Sequence, residues 1–487
     1  MLEQICSKTN DFIQLMPKEM RKNYGQFFTG IKTARYMASL FILPSNKTSI
    51  KLLDAGAGSG ILSTALVERL LNETKVSIHL TCYENDKNIY PLLLSNLEKI
   101  QNISKDRFTF VIYEENYLLS QMREVGNDLF KNKEIEQYDM IIGNPPYKKI
   151  AKDAPEANMM PFVCYGSPNL YFLFASMGII NLKPNSELVY IIPRSWTSGA
   201  YFKKFRSFLF NNCVLTDIHL FESRNKVFNS ETVLQETIII KLKKSLQKPK
   251  YIKITSSSTS DFLDIHSFNA PYESVISKNN FVYLITNQKD ADVLKRINKL
   301  TTTLSEMNMN MKTGLIVDFR TREVLRNKLE DNSFPLIYSQ HIKNGRVVWP
   351  LGKEGEVIKT TKKSYLQENG NFLMVKRFTS KEEKRRLQCG IFLKQRYEEF
   401  THISTQNKIN FIKCDSQCIT YGLYVLFNSR LYDNYYRILN GSTQVNSTEI
   451  NQIPVPERPL IEEMGRELMH HDLSEINCNK IINKWIK

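Results

Sequence analysis

Nowhere in this 487-residue chain do about 18 apolar residues follow one another, the length that a membrane-crossing helix needs. The first residues, Met1-Leu2-Glu3-Gln4-Ile5-Cys6, lack the charged start and apolar block of a secretory signal, so a cytoplasmic setting is expected. Cysteine is thinly spread: eight residues stand singly, at positions such as Cys6, Cys82, Cys164 and Cys478. The nearest pair, Cys414 and Cys418, has no second pair at zinc-ribbon distance, so reduced structural thiols are expected and no metal. No internal repeat is found. Acidic residues fall short of basic ones, 50 against 66, leaving a net charge of +16. Such a surplus points to a polyanionic partner, although solubility alone can also produce it.

What is present centres on four letters. Asn144-Pro145-Pro146-Tyr147 closes a strand-like run, Tyr138-Asp139-Met140-Ile141-Ile142-Gly143. Both prolines have a fixed φ and no N–H, so the segment makes a stiff pocket floor whose carbonyls stand outside any strand ladder. A carbonyl and the Asn144 amide oxygen can then accept both hydrogens of one planar NH2 group, while the Tyr147 ring stacks on the plane that carries it. This suits methylation of an amino nitrogen whose lone pair is delocalised into a ring or amide. The plainer reading is a Pro-Pro turn after a strand.

A second element bears on that choice. Ser49-Ile50-Lys51-Leu52-Leu53 reads as a buried strand and runs into Asp54-Ala55-Gly56-Ala57-Gly58-Ser59-Gly60, followed by a helical run from Ile61 to Leu71. Strand, glycine turn and helix start together form the nucleotide-binding corner of a doubly wound α/β sheet. The next strand, Val76 to Tyr83, ends at Glu84, where a carboxylate can grip two ribose hydroxyls. Asp54, directly before the glycines, argues against a dinucleotide phosphate and suits the cationic methionine end of S-adenosylmethionine.

Upstream lies Tyr24-Gly25-Gln26-Phe27-Phe28-Thr29-Gly30. The order Gly-Gln-Phe-Phe-Thr, then Asp-Ala-Gly-x-Gly-x-Gly, then Asn-Pro-Pro-Tyr resembles the gamma class of DNA adenine N6-methyltransferases, the TaqI-type enzymes. The family usually has Pro after the threonine, where this chain has Gly30. The resemblance implies a Rossmann-like S-adenosylmethionine-dependent methyltransferase domain followed by a mixed α+β target-recognition domain. It implies that Thr29 meets the cofactor's carboxylate, that Asp54, Gly56 and Gly58 hold its methionine end, and that Glu84 holds its ribose. Asn116 takes the place of the usual Asp that reads the cofactor's adenine amino group. Within Asn169-Leu170-Tyr171-Phe172-Leu173-Phe174, Phe174 falls on the ring packed against that adenine. Within Lys226-Val227-Phe228-Asn229, Phe228 falls on a second stacking ring for the target base.

Pattern changes set off an N-terminal helical segment at 1–24 and boundaries near 25 and 248, and the resemblance implies a catalytic domain at 25–248 and a DNA target-recognition domain at 249–487 with a closing helix from Ile461 to Met469. Ser256-Ser257-Ser258-Thr259-Ser260 marks a loop near the second boundary. In the last region a basic cluster, Lys376, Arg377, Arg385 and Arg386, is the candidate for phosphate contacts, beside Phe378, Thr379 and Ser380. Its alternative is a solvated helix face, because Glu382 and Glu383 intervene.

The expected activity follows. Adenine hides its amino group in the stack, so the base must be extruded from double-stranded DNA. Asn144 and the Pro145 carbonyl then accept the N6 hydrogens and localise the lone pair for direct transfer from S-adenosylmethionine. No Pro-Cys nucleophile of the kind used in cytosine C5 methylation is present, and no metal is needed. The alternative kept open is an RNA amino-group methyltransferase, since RNA also selects basic surfaces. A glutamine methyltransferase would leave the second half of the chain unexplained. No nuclease motif is found, so a separate restriction endonuclease is a possible partner. A nucleoid-associated, cytoplasmic enzyme is the expectation.

Overall fold

The computed structural model describes residues 1–15, 29–125, 135–221, 236–380, 383–440 and 443–486. The apolar runs assemble into one large sheet of strands β1 (Ser49–Ala55), β2 (Ser77–Tyr83), β3 (Phe108–Tyr113), β4 (Tyr138–Gly143), β5 (Leu182–Pro193), β6 (Val214–Phe221), β7 (Thr237–Lys243), β8 (Tyr251–Ser257) and β9 (His266–Pro271). Their spatial order is β3-β2-β1-β4-β5-β7-β6-β8-β9. From β3 to β5 each strand runs parallel to its neighbour, whereas β7 is antiparallel to both β5 and β6.

Parallel neighbours cannot be joined by a tight turn. They need crossovers, whose helices cover the sheet's faces. Here α1 (Leu2–Leu15) and α2 (Ile31–Ser39) precede β1, and α3 (Ile61–Glu73), α4 (Tyr90–Ser104), α5 (Tyr117–Val125), α6 (Leu170–Asn181) and α7 (Lys203–Asn212) lie in the crossovers. Central strands therefore carry apolar residues on both faces, and β4 is buried at every position. α6 is apolar almost all round and is buried on nearly all of its residues, as a helix without a polar stripe must be. Leu52, Ile61, Leu66, Leu80, Met140 and Ile142 share one core between sheet and helices.

The chain leaves β1 outward through β2 and β3, then returns to lay β4 against β1's other edge, with Leu52 opposite Met140. That reversal opens a crevice at the strands' carboxyl ends, where ligands of doubly wound sheets bind. At the opposite end, the Asp139 carboxylate accepts from the Lys51 amide at 2.8 Å, Lys47 Nζ at 2.5 Å and Lys183 Nζ at 2.8 Å. One buried acid thus ties β1, β4 and β5 together from below the crevice.

The chain divides into two compact units: Met1–Thr197 with Tyr201–Thr286, and Ser198–Ala200 with Asn287–Lys487. The boundary expected at 248 falls within the first of these units. Strand β8 pairs in parallel with β6, and β9 antiparallel with β8, so the chain as far as Thr286 belongs with the large sheet. The N-terminal segment is helical as α1, and residues 16–28, with most of the Gly-Gln-Phe-Phe-Thr motif, lie outside the described residues.

The second unit is mixed α+β. One sheet of six short strands is centred on Asn371–Lys376, and another of five on Ser333–Ile337. Helices Gln417–Phe427, Arg430–Leu439, Arg458–Met469 and Glu475–Trp485 follow. The closing helix thus starts earlier than expected and is succeeded by another. All eight cysteines are free, and Cys82, Cys213, Cys389, Cys414 and Cys478 are buried. Among the described residues no helix is long and apolar enough to cross a membrane, and no group of three His, Cys, Asp or Glu could hold a metal ion.

Candidate active site

The crevice is built from strand ends. After β1 the backbone turns through Gly56 (φ 74°), Gly58 (φ 56°) and Gly60 (φ 80°), a left-handed region where a side chain would be strained. Amides of Gly56 and Ala57 donate to the Tyr83 carbonyl at 2.8 and 3.0 Å, locking the loop onto the end of β2. From α4, the Asn96 amide donates to the Ser59 carbonyl at 2.9 Å. A Cβ at Gly56 would lie 3.6 Å from Phe174 Cε1 and 4.0 Å from Pro146 Cδ. The glycine loop, the ring on α6 and the Pro-Pro segment after β4 therefore converge on one point.

Two carboxylates flank the loop. Asp54 is 1% exposed, and its Oδ2 accepts the Ser63 hydroxyl at 2.5 Å. Its Oδ1 is buried with no partner among the described residues. Burial pushes this carboxyl up to about 7, partly offset by the bonds from Ser63, and the nearby Glu84 charge adds to the rise. Glu84, 5% exposed, accepts the Gly58 amide at 2.8 Å on one oxygen and the Asp86 amide at 2.9 Å on the other. Its pKa is also raised, by burial, against the pull of those amides. Each carboxylate oxygen can accept twice, so this anchoring still leaves capacity for a pair of hydroxyls.

The Asn-Pro-Pro-Tyr segment sits directly beyond β4. Asn144 is half-buried; its Nδ2 donates to Thr29 Oγ1 at 3.2 Å, and its Oδ1 accepts the Tyr147 hydroxyl at 2.8 Å. The one hydrogen of the Tyr147 hydroxyl is shared with the Ile191 carbonyl at 3.1 Å, and its ring stands edge-on to Tyr171 at 6.3 Å. Pro145 is buried and Pro146 half-buried. Thr29, Asn144 and Tyr147 are thus one hydrogen-bonded row. Beside it, Phe174 meets the Tyr117 ring at 5.3 Å, and Tyr117 meets Tyr83 at 5.2 Å.

Asn116 is held at both ends of its side-chain amide. Its Oδ1 accepts the Leu119 amide at 3.3 Å at the start of α5, and its Nδ2 donates to Glu156 Oε1 at 2.9 Å. Glu156 and Ser63 are the residues that sequence reasoning missed. Ser63 had a signal, a small hydroxyl beside Thr64 in the first turn of a helix that follows the glycine loop. Glu156 had none, standing in a short helix, Pro155–Met159, remote in sequence from its partner. Phe228 lies outside the described residues.

The basic cluster lies in the second unit. Arg386 is 0% exposed; its guanidinium donates to Asn440 Oδ1 at 3.2 Å and Thr379 Oγ1 at 3.3 Å and lies 5.7 Å from the Tyr436 ring. Arg385 pairs with Glu475 at 3.2 Å and donates to the Phe427 carbonyl at 3.0 Å. Side-chain and carbonyl acceptors thus surround both guanidinium groups, which the sequence reading set against phosphates. Lys376 and Arg377 are half-buried at the end of their strand. Arg377 reaches the Asn407 carbonyl at 3.1 Å, beside the exposed Phe378. Arg386→Ala is expected to destabilise the protein by about 3 kcal/mol, since it strips charge-assisted bonds and leaves a cavity. A lower urea midpoint without a change in the salt dependence of DNA binding would be the readout; an unchanged midpoint would return Arg386 to the surface role.

Comparison with known proteins decides the family. Residues 61–228 match the model of the Eco57I restriction-modification methylases. The chain is 32% identical over 493 residues to the type II methyltransferase M.PstI of Providencia stuartii, covering 97% of this chain and 94% of that protein. It is 32% identical over 475 residues to the type II methyltransferase M.BsuBI of Bacillus subtilis, covering 94% and 93%. The chain belongs to the type II methyltransferase family. It is a DNA methyltransferase of the restriction-modification class, and S-adenosylmethionine is its methyl donor. The fold is shared with the Type IIL restriction-modification enzyme MmeI, solved in complex with DNA, at a TM-score of 0.57, 12% identity and coverage of 97% of this chain and 77% of that one. The donor suits the crevice: a buried, half-satisfied Asp54 beside glycines that leave room for a ligand fits the cationic end of that molecule.

Proposed function

We propose that this methyltransferase acts on the N6 amino group of adenine in duplex DNA. The observation that carries the reading is Asn144 at the carboxyl end of β4, in a row with Thr29 and next to a glycine loop on β1. S-adenosylmethionine, when bound, supplies an electrophilic methyl group. Asp54, Gly56 and Gly58 hold its methionine end, Thr29 its carboxylate and Glu84 its ribose. Phe174 packs on its adenine, and Asn116 reads the adenine's amino group with Glu156 as the neighbouring acceptor.

The target base leaves the helix, because its amino group is otherwise buried in the stack. The Asn144 amide oxygen and the Pro145 carbonyl accept its two amino hydrogens and draw the nitrogen towards tetrahedral geometry. An amide oxygen accepts two donors, so the Tyr147 hydroxyl can stay in place and keep Asn144 oriented. Tyr147 supplies an aromatic wall for the extruded base, and the resemblance assigns Phe228 a second stacking role. Positioning of this kind is worth about 7–11 kcal/mol of barrier. Lys376 and Arg377 contact phosphates, each contributing about 0.9 to the slope of log affinity against log salt. The physiological setting is modification of host DNA, with a separate endonuclease as the restriction partner.

Incubation with tritiated S-adenosylmethionine and duplex DNA, RNA or protein, followed by nucleoside analysis, tests the reading. Label in N6-methyladenine from DNA is expected; label in methylcytosine or in RNA alone would overturn it. Glu84→Ala should weaken cofactor binding at least about tenfold, whereas Tyr147→Ala should mainly slow turnover. Calorimetric titration of both variants with cofactor checks this division, and equal loss of affinity in the two would dissolve it.

A further inference from the structure

The second unit contains a cavity of about 760 Å³ with Asp318, Phe319, Arg322, Asn327, Tyr338 and Lys353 in its lining. Its wall is built from within. The Glu356 carboxylate, buried, accepts the Leu351 amide at 2.9 Å and the Gly352 amide at 2.7 Å. It also faces His341 Nε2 at 2.9 Å, and His341 Nδ1 accepts the Tyr338 amide at 2.8 Å, so Nε2 carries the proton. The Trp349 indole donates to the Glu356 carbonyl at 2.8 Å, the Tyr338 hydroxyl to the Gly355 carbonyl at 3.1 Å, and the Gly355 amide to Asn327 Oδ1 at 2.8 Å. The loop 349–356 is therefore held in one shape before any partner arrives, as a recognition surface requires. On it, Lys353 Nζ lies 3.9 Å from the centre of the Tyr338 ring.

The opposite wall is a turn with unusual exposure. Phe319 is 65% exposed, with the Arg320 guanidinium 5.4 Å from its ring. Arg322 is exposed and its guanidinium makes no hydrogen bond or ion pair among the described residues. Arg326, by contrast, is engaged with the Glu323 and Leu325 carbonyls at 2.8 and 2.7 Å. A phosphate site would exclude carboxylates, yet Glu354 lines this cavity too. Donors and acceptors lining one cavity together with an aromatic ring suit the edge of a base pair instead. In the major groove guanine offers O6 and N7 as acceptors and its cytosine offers an N4 donor.

Resting on the DNA-methylation reading above, we propose that this cavity reads one guanine–cytosine pair of the target site. Arg322 donates to guanine O6 and N7, Glu354 accepts from the cytosine amino group, and Phe319 packs against the neighbouring base step. Lys353 and Asn327 flank the pair from the preorganised wall.

Methylation of a randomised duplex library by the full-length protein, with N6-methyladenine mapped by sequencing, tests this. The wild-type protein should show a motif containing a required G·C pair. Arg322→Ala should relax preference at that one pair by about tenfold or more and keep the rest of the motif. Arg322→Lys should restore it only in part, because a single ammonium cannot make the paired contact. Phe319→Ser, on an exposed side chain that folding does not need, should lower discrimination at the adjacent position. Equal loss on all sequences would mean a phosphate contact and overturn the proposal. Unchanged preference in Arg322→Ala and Phe319→Ser would remove the cavity from the DNA interface. Wild-type protein that forms no methyladenine would overturn the parent reading, and this one with it.

Discussion

Replacing Asn144 with alanine is expected to lower methyl transfer at least about a hundredfold, equivalent to about 2.7 kcal/mol of transition-state stabilisation. Affinity for S-adenosylmethionine should stay nearly intact. The reason is geometric: Asn144 stands beyond β4, bonded to Thr29 and Tyr147. Single-turnover kinetics with tritiated cofactor measure the first quantity and calorimetry the second. Tyr147→Phe serves as the control, because it removes only the hydroxyl that orients Asn144 and should cost much less. Asn144→Ala protein retaining more than about a tenth of the wild-type rate would show that the amino group is held by something else.

Asp54 should make both cofactor affinity and stability depend on pH. Burial raises its carboxyl to about 7 in the folded, cofactor-free protein from an ordinary 3.8. Between these values the folded state keeps a proton that the unfolded chain has released. Stability of the cofactor-free protein should therefore fall as pH rises from about 4 to about 7, then level off. Cofactor binding runs the other way. A cationic ligand favours the ionised carboxylate, so affinity should increase as pH passes upward through about 7. Asp54→Asn keeps an acceptor for the Ser63 hydroxyl but cannot ionise. It should bind at least about tenfold more weakly above neutrality and lose Asp54's share of the pH dependence in both measurements, while the raised Glu84 carboxyl keeps its own. A wild-type affinity that stays flat from about pH 5 to 8 would take Asp54 out of the cofactor's cationic pocket.

The crevice was legible because its chemistry is local. A strand that ends in acid and glycines, and a second strand that ends in acid, place Asp54 and Glu84 side by side once the strands pair in parallel, as they do from Ser49 to Ala55 against Ser77 to Tyr83. What lay beyond reach were pairings across long separations. Strand β8 finds β6 by main-chain bonds that leave no pattern in the residues between them, and the lysines closing β7 read as the end of a domain when they mark only an edge of that strand. Charged side chains misled in the same way. Arg385 and Arg386 look like surface cations until Asp433, Asn440 and Glu475, tens of residues later, are folded around them. Asn116 was matched to a position without its neighbour Glu156, so its engagement was invisible.

The buried thiols turn the protein into its own stopwatch. Burial pushes Cys213, Cys389 and Cys414 up to about 12, leaving almost no thiolate to react near neutrality. Alkylation at these positions must wait for the surrounding structure to open. Because Cys82 and Cys213 belong to the first unit and Cys389, Cys414 and Cys478 to the second, a pulse of iodoacetamide followed by peptide mass spectrometry times the opening of each unit separately, with no engineered label.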